Sequence, residues 1–303
     1  MLEYRHFPFT TMGTACNLHL YCDGAAAADR VIRAAVAEVK RLEAKYSRYL
    51  PDSVLSGINR TAALGGEMSL DDETAGLLDY AWTCYAQSAG LFDISSGILR
   101  RAWNFDTGHL PEQHAIDAQQ DRVGLNRIEW RKPVIRFPVA DMELDFGGIA
   151  KEYAADQAAA VCRSLGVRHG LLDLGGDMAV IGPHPDGRPW QIGIRSPDRP
   201  NALAASVELA RGGLASSGDY ERCVVVGGRR YGHILDPRTG WPVQGLSAVS
   251  VVAERCTVAG SISTIAMLMG VSGGAWLRSL GVPHVCIETG GHQQSTPQFR
   301  AVA

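Results

Sequence analysis

Apolar residues recur along the chain at two different periods, and the change from one to the other marks its organisation. From Ala25 to Tyr46 the apolar positions Val31, Ile32, Ala35, Val39 and Leu42 return at helical spacing, which predicts a long amphipathic helix. Asp71 to Ser88 predicts a second helix, with Ser69 as its N-cap and Gly90 as its stop. A third runs from about Ile149 to Leu165 and closes at Gly166, and a last one spans Ala259 to Met269. Asn17 to Cys22 alternates like a strand, as does Ile128 to Phe137 around a break at Pro133. Met142 to Phe146 is expected to continue extended into a Gly-Gly turn. Leu171 to Leu174 is an apolar strand ending on Gly175 and Gly176. Gln191 to Arg195, Ala205 to Leu209, Cys223 to Val226 and Ala248 to Val252 then follow as strands separated by glycine-bearing turns, with a short late strand at Val285 to Glu288.

Runs of strands beside runs of helices predict an α+β fold of mostly antiparallel sheets with packed helices, not a doubly wound sheet. The 303 residues carry 46% hydrophobic positions, enough for a full core, and no Pro- or Ser-rich linker, repeat or charge block divides them. Residues 1–303 are therefore expected to form one domain with two interlocked lobes. The polar, glycine-rich terminal stretch GGHQQSTPQFRAVA is expected to be a loose tail or an edge segment.

Charge and cysteine content narrow the function classes. With 29 basic and 32 acidic residues the formal charge is -3, so there is no global basic field to draw the chain onto nucleic acid. Seven cysteines, with no CxxC and no metal-finger spacing, predict reduced and mostly buried thiols. The N-terminal segment carries Glu3 and Arg5 and lacks an apolar h-region, and no apolar run reaches the roughly 18 residues of a membrane span. A soluble, cytoplasmic protein is expected.

The densest chemistry lies in LDFGGIAKEYAAD, where Asp145 precedes two glycines that turn directly into a helix. Such a turn presents free backbone N–H groups and the positive end of a helix dipole, which suits a phosphate or pyrophosphate. Lys151, one turn in, is expected to point the same way; the alternative is a tight turn with a solvated lysine. The segment is neither GxGxxG nor a P-loop. A second cluster, SSGDYERCVVVGGRRYGHILDPRTGWPV, sets His233 just before Asp236, Pro237 and a basic turn. Histidine can serve there as general base or polar anchor, and Asp236 predicts a turn held by its own side chain. TMGT at Thr11 to Thr14 and GLFDISSG at Gly90 to Gly97 are loop chemistry when taken singly. A dinucleotide-dependent oxidoreductase is disfavoured, because strands and helices do not alternate in the second half.

Taken together, these segments resemble the ApbE family, the FAD:protein FMN transferases, over nearly the whole chain: at Met12 to Thr14, at SRYLPDSVLSGIN, at GLFDISSG, at LDFGGIAKEYAAD and at SGDYERCVVVGGRRYGHILDPRTG. The resemblance implies that a threonine or serine hydroxyl of an acceptor protein attacks the FAD pyrophosphate, so that FMN becomes phosphoester-linked and AMP leaves. It implies a FAD site lined by Met12, Tyr49, Leu91, Phe92, Asp93, Asp145, Lys151 and Leu235, with Tyr49 and Phe92 offering apolar or stacking surface. His233 matches the family histidine, activating the acceptor hydroxyl or orienting the phosphate. The resemblance also implies Mg²⁺ held through oxygen, with Gly148, Ser263 and Thr264 as the ligand positions here.

One position departs from the family pattern. Its late helix carries an aspartate four residues before the threonine, whereas this chain reads TVAGSISTIAMLMG, with Gly260 at the aspartate position and Thr264 retained. Three alternatives follow: FAD's own phosphates recruit the ion, another carboxylate replaces the lost one, or the chain binds FAD without efficient transfer. A FAD pyrophosphatase, giving FMN and AMP with water as acceptor, is a further alternative. DISSG at Asp93 to Gly97 superficially resembles an acceptor pattern, but it falls inside the FAD-binding motif and continues with Ile98 and Leu99.

Overall fold

A computed structural model describes residues 1–199 and 201–301; Pro200 and the last two residues of the tail, Val302 and Ala303, lie outside the described residues. In chain order the elements are β1 (Leu2–Thr11), β2 (Thr14–Asp23), α1 (Ala25–Tyr46), α2 (Val54–Ala63), β3 (Glu67–Ser69), α3 (Asp72–Gln87), α4 (Gln113–Gln120), β4 (Glu129–Arg131), β5 (Val134–Arg136), α5 (Ala150–Ser164) and β6 (Gly170–Leu174). They continue with β7 (Asp177–Gly182), β8 (Trp190–Arg195), β9 (Leu203–Leu209), β10 (Gly213–Gly218), β11 (Cys223–Val226), β12 (Arg229–Gly232), β13 (Leu246–Ala253), α6 (Cys256–Leu268), α7 (Gly273–Leu280), β14 (His284–Glu288), β15 (Gln293–Ser295) and β16 (Phe299–Ala301). Short 3₁₀ segments cover Ile94–Arg101, Leu125–Arg127 and Gly270–Ser272.

The α+β expectation holds. Eight strands form one sheet in the order β1-β2-β6-β7-β10-β13-β14-β15, and every neighbouring pair is antiparallel. The period-2 alternation of these strands divides the apolar residues between two cores. Leu172 and Leu174 of β6, Ala215 of β10 and Val249 and Val251 of β13 join the main core. Their neighbours Leu171, Leu214 and Ala248 face a second core with Trp190, Ile192, Val207 and Phe299. α1, α5 and α6 pack side by side over the first face, and the small sheet β16-β9-β8 covers the second. The tail thus supplies two edge strands, β15 beside β14 and β16 beside β9.

Several local expectations are corrected. α3 is capped by Asp71, not Ser69, because the Asp71 carboxylate accepts from Thr74 N–H at 3.1 Å and Thr74 Oγ1 at 2.8 Å. α6 is followed by α7, so it is not the last helix. Ile128 to Phe137 is a hairpin, β4 and β5, turning at Pro133. Met142 to Phe146 joins no sheet. Its backbone is held instead by the Asn59 side chain, which accepts from Leu144 N–H at 2.8 Å and donates to Leu144 C=O at 3.0 Å, and by Asp145 N–H donating to Ile94 C=O at 2.8 Å. All seven cysteines are free, and every one except the half-buried Cys223 is buried. Among the described residues no helix is long and apolar enough to cross a membrane.

Candidate active site

The loop around Asp145 is assembled from distant segments. Asp145 Oδ1 accepts from Gly147 N–H at 2.8 Å, folding the carboxylate back over the turn, and Oδ2 pairs with the Arg48 guanidinium. Gly97 lies so close beneath that a Cβ there would stand 2.4 Å from Asp145 Cβ. The Phe92 ring underlies the turn, its edge 3.4 Å from where a Gly148 Cβ would be. Phe92 and Leu91 are buried, and Phe92 supports the turn from below, which leaves its ring no free stacking surface. Asp93 is consumed locally: its carboxylate accepts from Ser95 N–H, Ser95 Oγ and Leu125 N–H, capping the 3₁₀ segment. Burial raises its pKa against those hydrogen bonds. Asp93 therefore shapes the 3₁₀ segment that carries Gly97, against which Asp145 rests.

Tyr49 is 73% exposed and stands at the rim, with the Arg48 guanidinium 5.0 Å from its ring centroid and donating to its hydroxyl at 2.9 Å. That hydrogen bond, with the charges of Arg48 and Arg222, lowers the phenol pKa. Met12 holds a positive φ of 50° in the β1–β2 turn, where its N–H donates to Glu43 of α1. Leu235 packs against Ile98, Leu99 and Val123, next to the 3₁₀ segment that Asp93 caps.

Lys151 corrects its expectation. Its ammonium does not stand free toward a phosphate but pairs at 2.7 Å with Asp177, buried at the start of β7. Burial opposes the lysine charge, but Asp177 and then Glu152 outweigh it and hold the pKa above the ordinary value. Asp177 also accepts from Ser216 N–H of β10 at 3.2 Å.

His233 follows β12 and is exposed at its edge, yet the surrounding protein desolvates the ring and lowers its pKa below 6.5. Arg222 and Lys151 add to that lowering by repulsion, while the backbone contact to Arg222 and the charge of Glu221 oppose it. Nδ1 lies 3.3 Å from the Arg222 carbonyl, which only accepts, so Nδ1 carries the proton and Nε2 keeps its lone pair. Asp236 holds its turn as expected, accepting from Arg238 N–H at 2.9 Å.

On α6, Thr264 and the fully buried Ser263 share Ser217 Oγ of β10, at 3.0 and 2.8 Å. Ser263 Oγ also donates to Gly260 C=O at 2.9 Å. Thr264 lies one turn beyond Gly260 on the same helix face. Among the described residues no group of three or more His, Cys, Asp or Glu is placed to hold a metal. The donors gathered here are hydroxyls and a backbone carbonyl, hard oxygens of the kind Mg²⁺ takes beside carboxylate and phosphate.

Charge interactions link Asp145 and Tyr49 to Arg48, Tyr49 and His233 to Arg222, and His233 to Lys151, with Gly148 in the turn that Asp145 folds over; Ser263 and Thr264 meet Ser217, the neighbour of the Ser216 that bonds Asp177. Of these, Arg48, Arg222, Asp177 and Ser217 were not singled out from sequence. A surplus of arginine near a quoted motif is the only signal Arg48 and Arg222 give. Asp177 is marked only by following the Gly175-Gly176 turn. A cleft of 340 Å³ lined by Asn59, Arg60 and Glu143, among others, adjoins the region and shares Arg48 with it.

Fold and site define an antiparallel α+β protein with a glycine turn opening onto a helix N-terminus beside a hydroxyl-lined helix, a helix end of the kind that can receive an anion. The ApbE family model matches residues 12–292, and the chain belongs to that family. A FAD:protein FMN transferase of Haemophilus influenzae is 29% identical over 273 residues, covering 86% of this chain and 79% of that protein. One from Treponema pallidum is 30% identical over 282 residues, covering 86% and 77%. The crystal structure of the ApbE protein of Thermotoga maritima superposes with a TM-score of 0.88 at 28% identity, over 97% of each chain. That of the apo flavinyl transferase ApbE of Pseudomonas stutzeri gives 0.85 at 27% identity, over 98% of this chain and 96% of that one.

Proposed function

We propose that this protein is a FAD:protein FMN transferase that uses FAD as substrate and links FMN through a phosphoester to a threonine or serine of an acceptor protein. The observation that carries the reading is the single region in which the glycine turn, Asp145, the rim residue Tyr49 and a neutral His233 converge, in a chain of ApbE membership.

In this reading the turn at Gly147–Gly148 and the N-terminus of α5 receive the FAD pyrophosphate, with Arg48 and Tyr49 at its rim. The acceptor hydroxyl oxygen attacks the FMN-side phosphorus while the bond from that phosphorus to the bridging oxygen breaks, and AMP departs with the bridging oxygen. His233 Nε2 takes the hydroxyl proton and returns it to solvent. Lys151, locked to Asp177, fixes the first turn of α5 and adds positive potential. Gly148, Ser263 and Thr264 are the positions that would hold Mg²⁺, which when bound neutralises charge on the pyrophosphate. Residues 1–303 act together as one catalytic domain of two interlocked lobes.

Incubation with FAD, Mg²⁺ and an acceptor peptide of the Asp-x-x-Ser/Thr-Gly type, with resolution of AMP, FMN and peptide-bound FMN, tests the reading. Acceptor-dependent AMP with covalent flavin supports it. FMN and AMP without acceptor indicate a pyrophosphatase, and bound FAD without AMP indicates a carrier.

A further inference from the structure

The position left without a carboxylate on α6 is filled from the neighbouring helix. A Cβ built on Gly260 would stand 2.6 Å from Cγ, 2.8 Å from Oε1 and 2.9 Å from Cδ of Glu152 on α5. No larger residue fits at 260 while Glu152 keeps its place, and Glu152 has its place because 260 is glycine. The helix register makes this juxtaposition unavoidable. Asp156, one turn after Glu152, accepts from Cys256 N–H and Thr257 N–H at 2.9 Å each and from Thr257 Oγ1 at 2.7 Å, capping the start of α6. With the helices pinned there, one turn back on α5 meets one turn on along α6, which places Glu152 against Gly260.

Glu152 is otherwise hard to explain. The other buried members of its helix are Ala150, Ala154, Ala155, Ala158, Ala159 and Cys162, and only 7% of Glu152 is exposed. Its Oε2 is buried and has no hydrogen-bond partner, an arrangement that costs stability and calls for a ligand or a role. Lys151, the cation whose charge acts on Glu152, spends its short contact on Asp177. A carboxylate oxygen left unpaired next to the Thr264 face of α6 supplies the anionic oxygen that a hard divalent cation needs beside hydroxyl, carbonyl and phosphate donors.

The geometry points to Glu152 as the carboxylate ligand of the divalent cation in this chain, delivered from α5 into the space that Gly260 opens on α6. The inference rests on the transferase reading only for the presence of FAD phosphates at the same centre.

The test is a titration of the full chain with Mn²⁺ in the presence of FAD, followed by the loss of the free-ion signal in electron paramagnetic resonance, with FAD alone as the blank. The wild-type chain should bind Mn²⁺ beyond the blank. Glu152→Gln, nearly isosteric, should weaken that binding by about tenfold or more. The exchange variant Glu152→Gly with Gly260→Asp moves the carboxylate back to α6 and should restore it to within about threefold of wild type. Unchanged Mn²⁺ affinity in Glu152→Gln overturns the inference, as does a wild-type chain that binds no more Mn²⁺ than the blank. Flavin binding and AMP release, measured on the same samples, report separately on the transferase reading, which stands if they persist in either of those cases.

Discussion

Replacing Lys151 by methionine removes the cation from a buried ion pair while keeping the length of the side chain. Asp177, whose side chain is 3% exposed, is left with Ser216 N–H as its remaining hydrogen bond, and Glu152 stands nearby with a second carboxylate. Breaking a buried pair in this way costs about 3–5 kcal/mol, and the 32% exposure of the Lys151 side chain argues for the lower end, about 3 kcal/mol. Protonation of Asp177 sets a ceiling: bringing an ordinary carboxylate to its neutral form at pH 7 costs about 4 kcal/mol. The variant's Asp177 has a folded pKa raised further above its unfolded value, so the folded state binds the extra proton. Its deficit relative to wild type therefore shrinks as pH falls from 8 toward 5. Urea unfolding followed by tryptophan fluorescence, on Lys151→Met, Asp177→Asn and the double variant, measures each term. The double variant should recover at least half of the Lys151→Met loss, because no uncompensated charge remains. A Lys151→Met cost below about 0.5 kcal/mol, or a double variant in which the single losses simply add, would show that Lys151 and Asp177 are not a coupled buried pair.

The remaining predictions concern single positions. His233→Asn should keep FAD binding and lower acceptor-dependent AMP release by about 10²–10⁴-fold; because desolvation depresses the His233 pKa, the wild-type rate should fall only as pH drops below 6.5. Gly97→Ala, whose Cβ would stand 2.4 Å from Asp145 Cβ, should push Asp145 off Arg48, cost about 1–3 kcal/mol in urea unfolding and weaken FAD binding read by flavin fluorescence. Glu73 accepts from Arg41 at 2.7 Å and Lys45 at 2.7 Å, which hold its pKa at about 2 against burial. Glu73→Gln should cost about 1–2 kcal/mol at pH 7, and since a depressed carboxyl pKa stabilises only above its unfolded value of 4.5, the two chains should converge as pH falls from there toward 2.

Elements with one buried face were readable from the chain itself. α1 was bounded at Ala25 and Tyr46 because Val31, Ala35, Val39 and Leu42 keep one apolar stripe facing the sheet. β1 escaped because it is an edge strand with almost no buried position, so no alternation marks it. α2 escaped because it is one short helix started by the Ser53 cap after Pro51. Met142 to Phe146 was readable as an extended approach to the Gly-Gly turn, but not its partner, because an asparagine side chain and no neighbouring strand holds its backbone.

At the site the same division holds. The glycine turn and the histidine stretch stood out because their residue types have few other uses in such sequence company. Asp93, Lys151 and Phe92 looked available in sequence, but they are committed to a cap, an ion pair and the floor of the turn, commitments that depend on contacts between distant segments. Glu152 did leave a trace, as a lone acid on an alanine-lined buried face, and Gly260 left the complementary one. Their meaning required the register of α5 against α6.

The intact mass of an acceptor protein after incubation with this chain, FAD and Mg²⁺, with AMP quantified in the same mixture, decides between transfer and its alternatives. A transferase yields an acceptor heavier by one FMN less water, with one AMP released per modified acceptor. An unmodified acceptor in a mixture where FAD is bound, or AMP formed in step with free FMN, would contradict transfer.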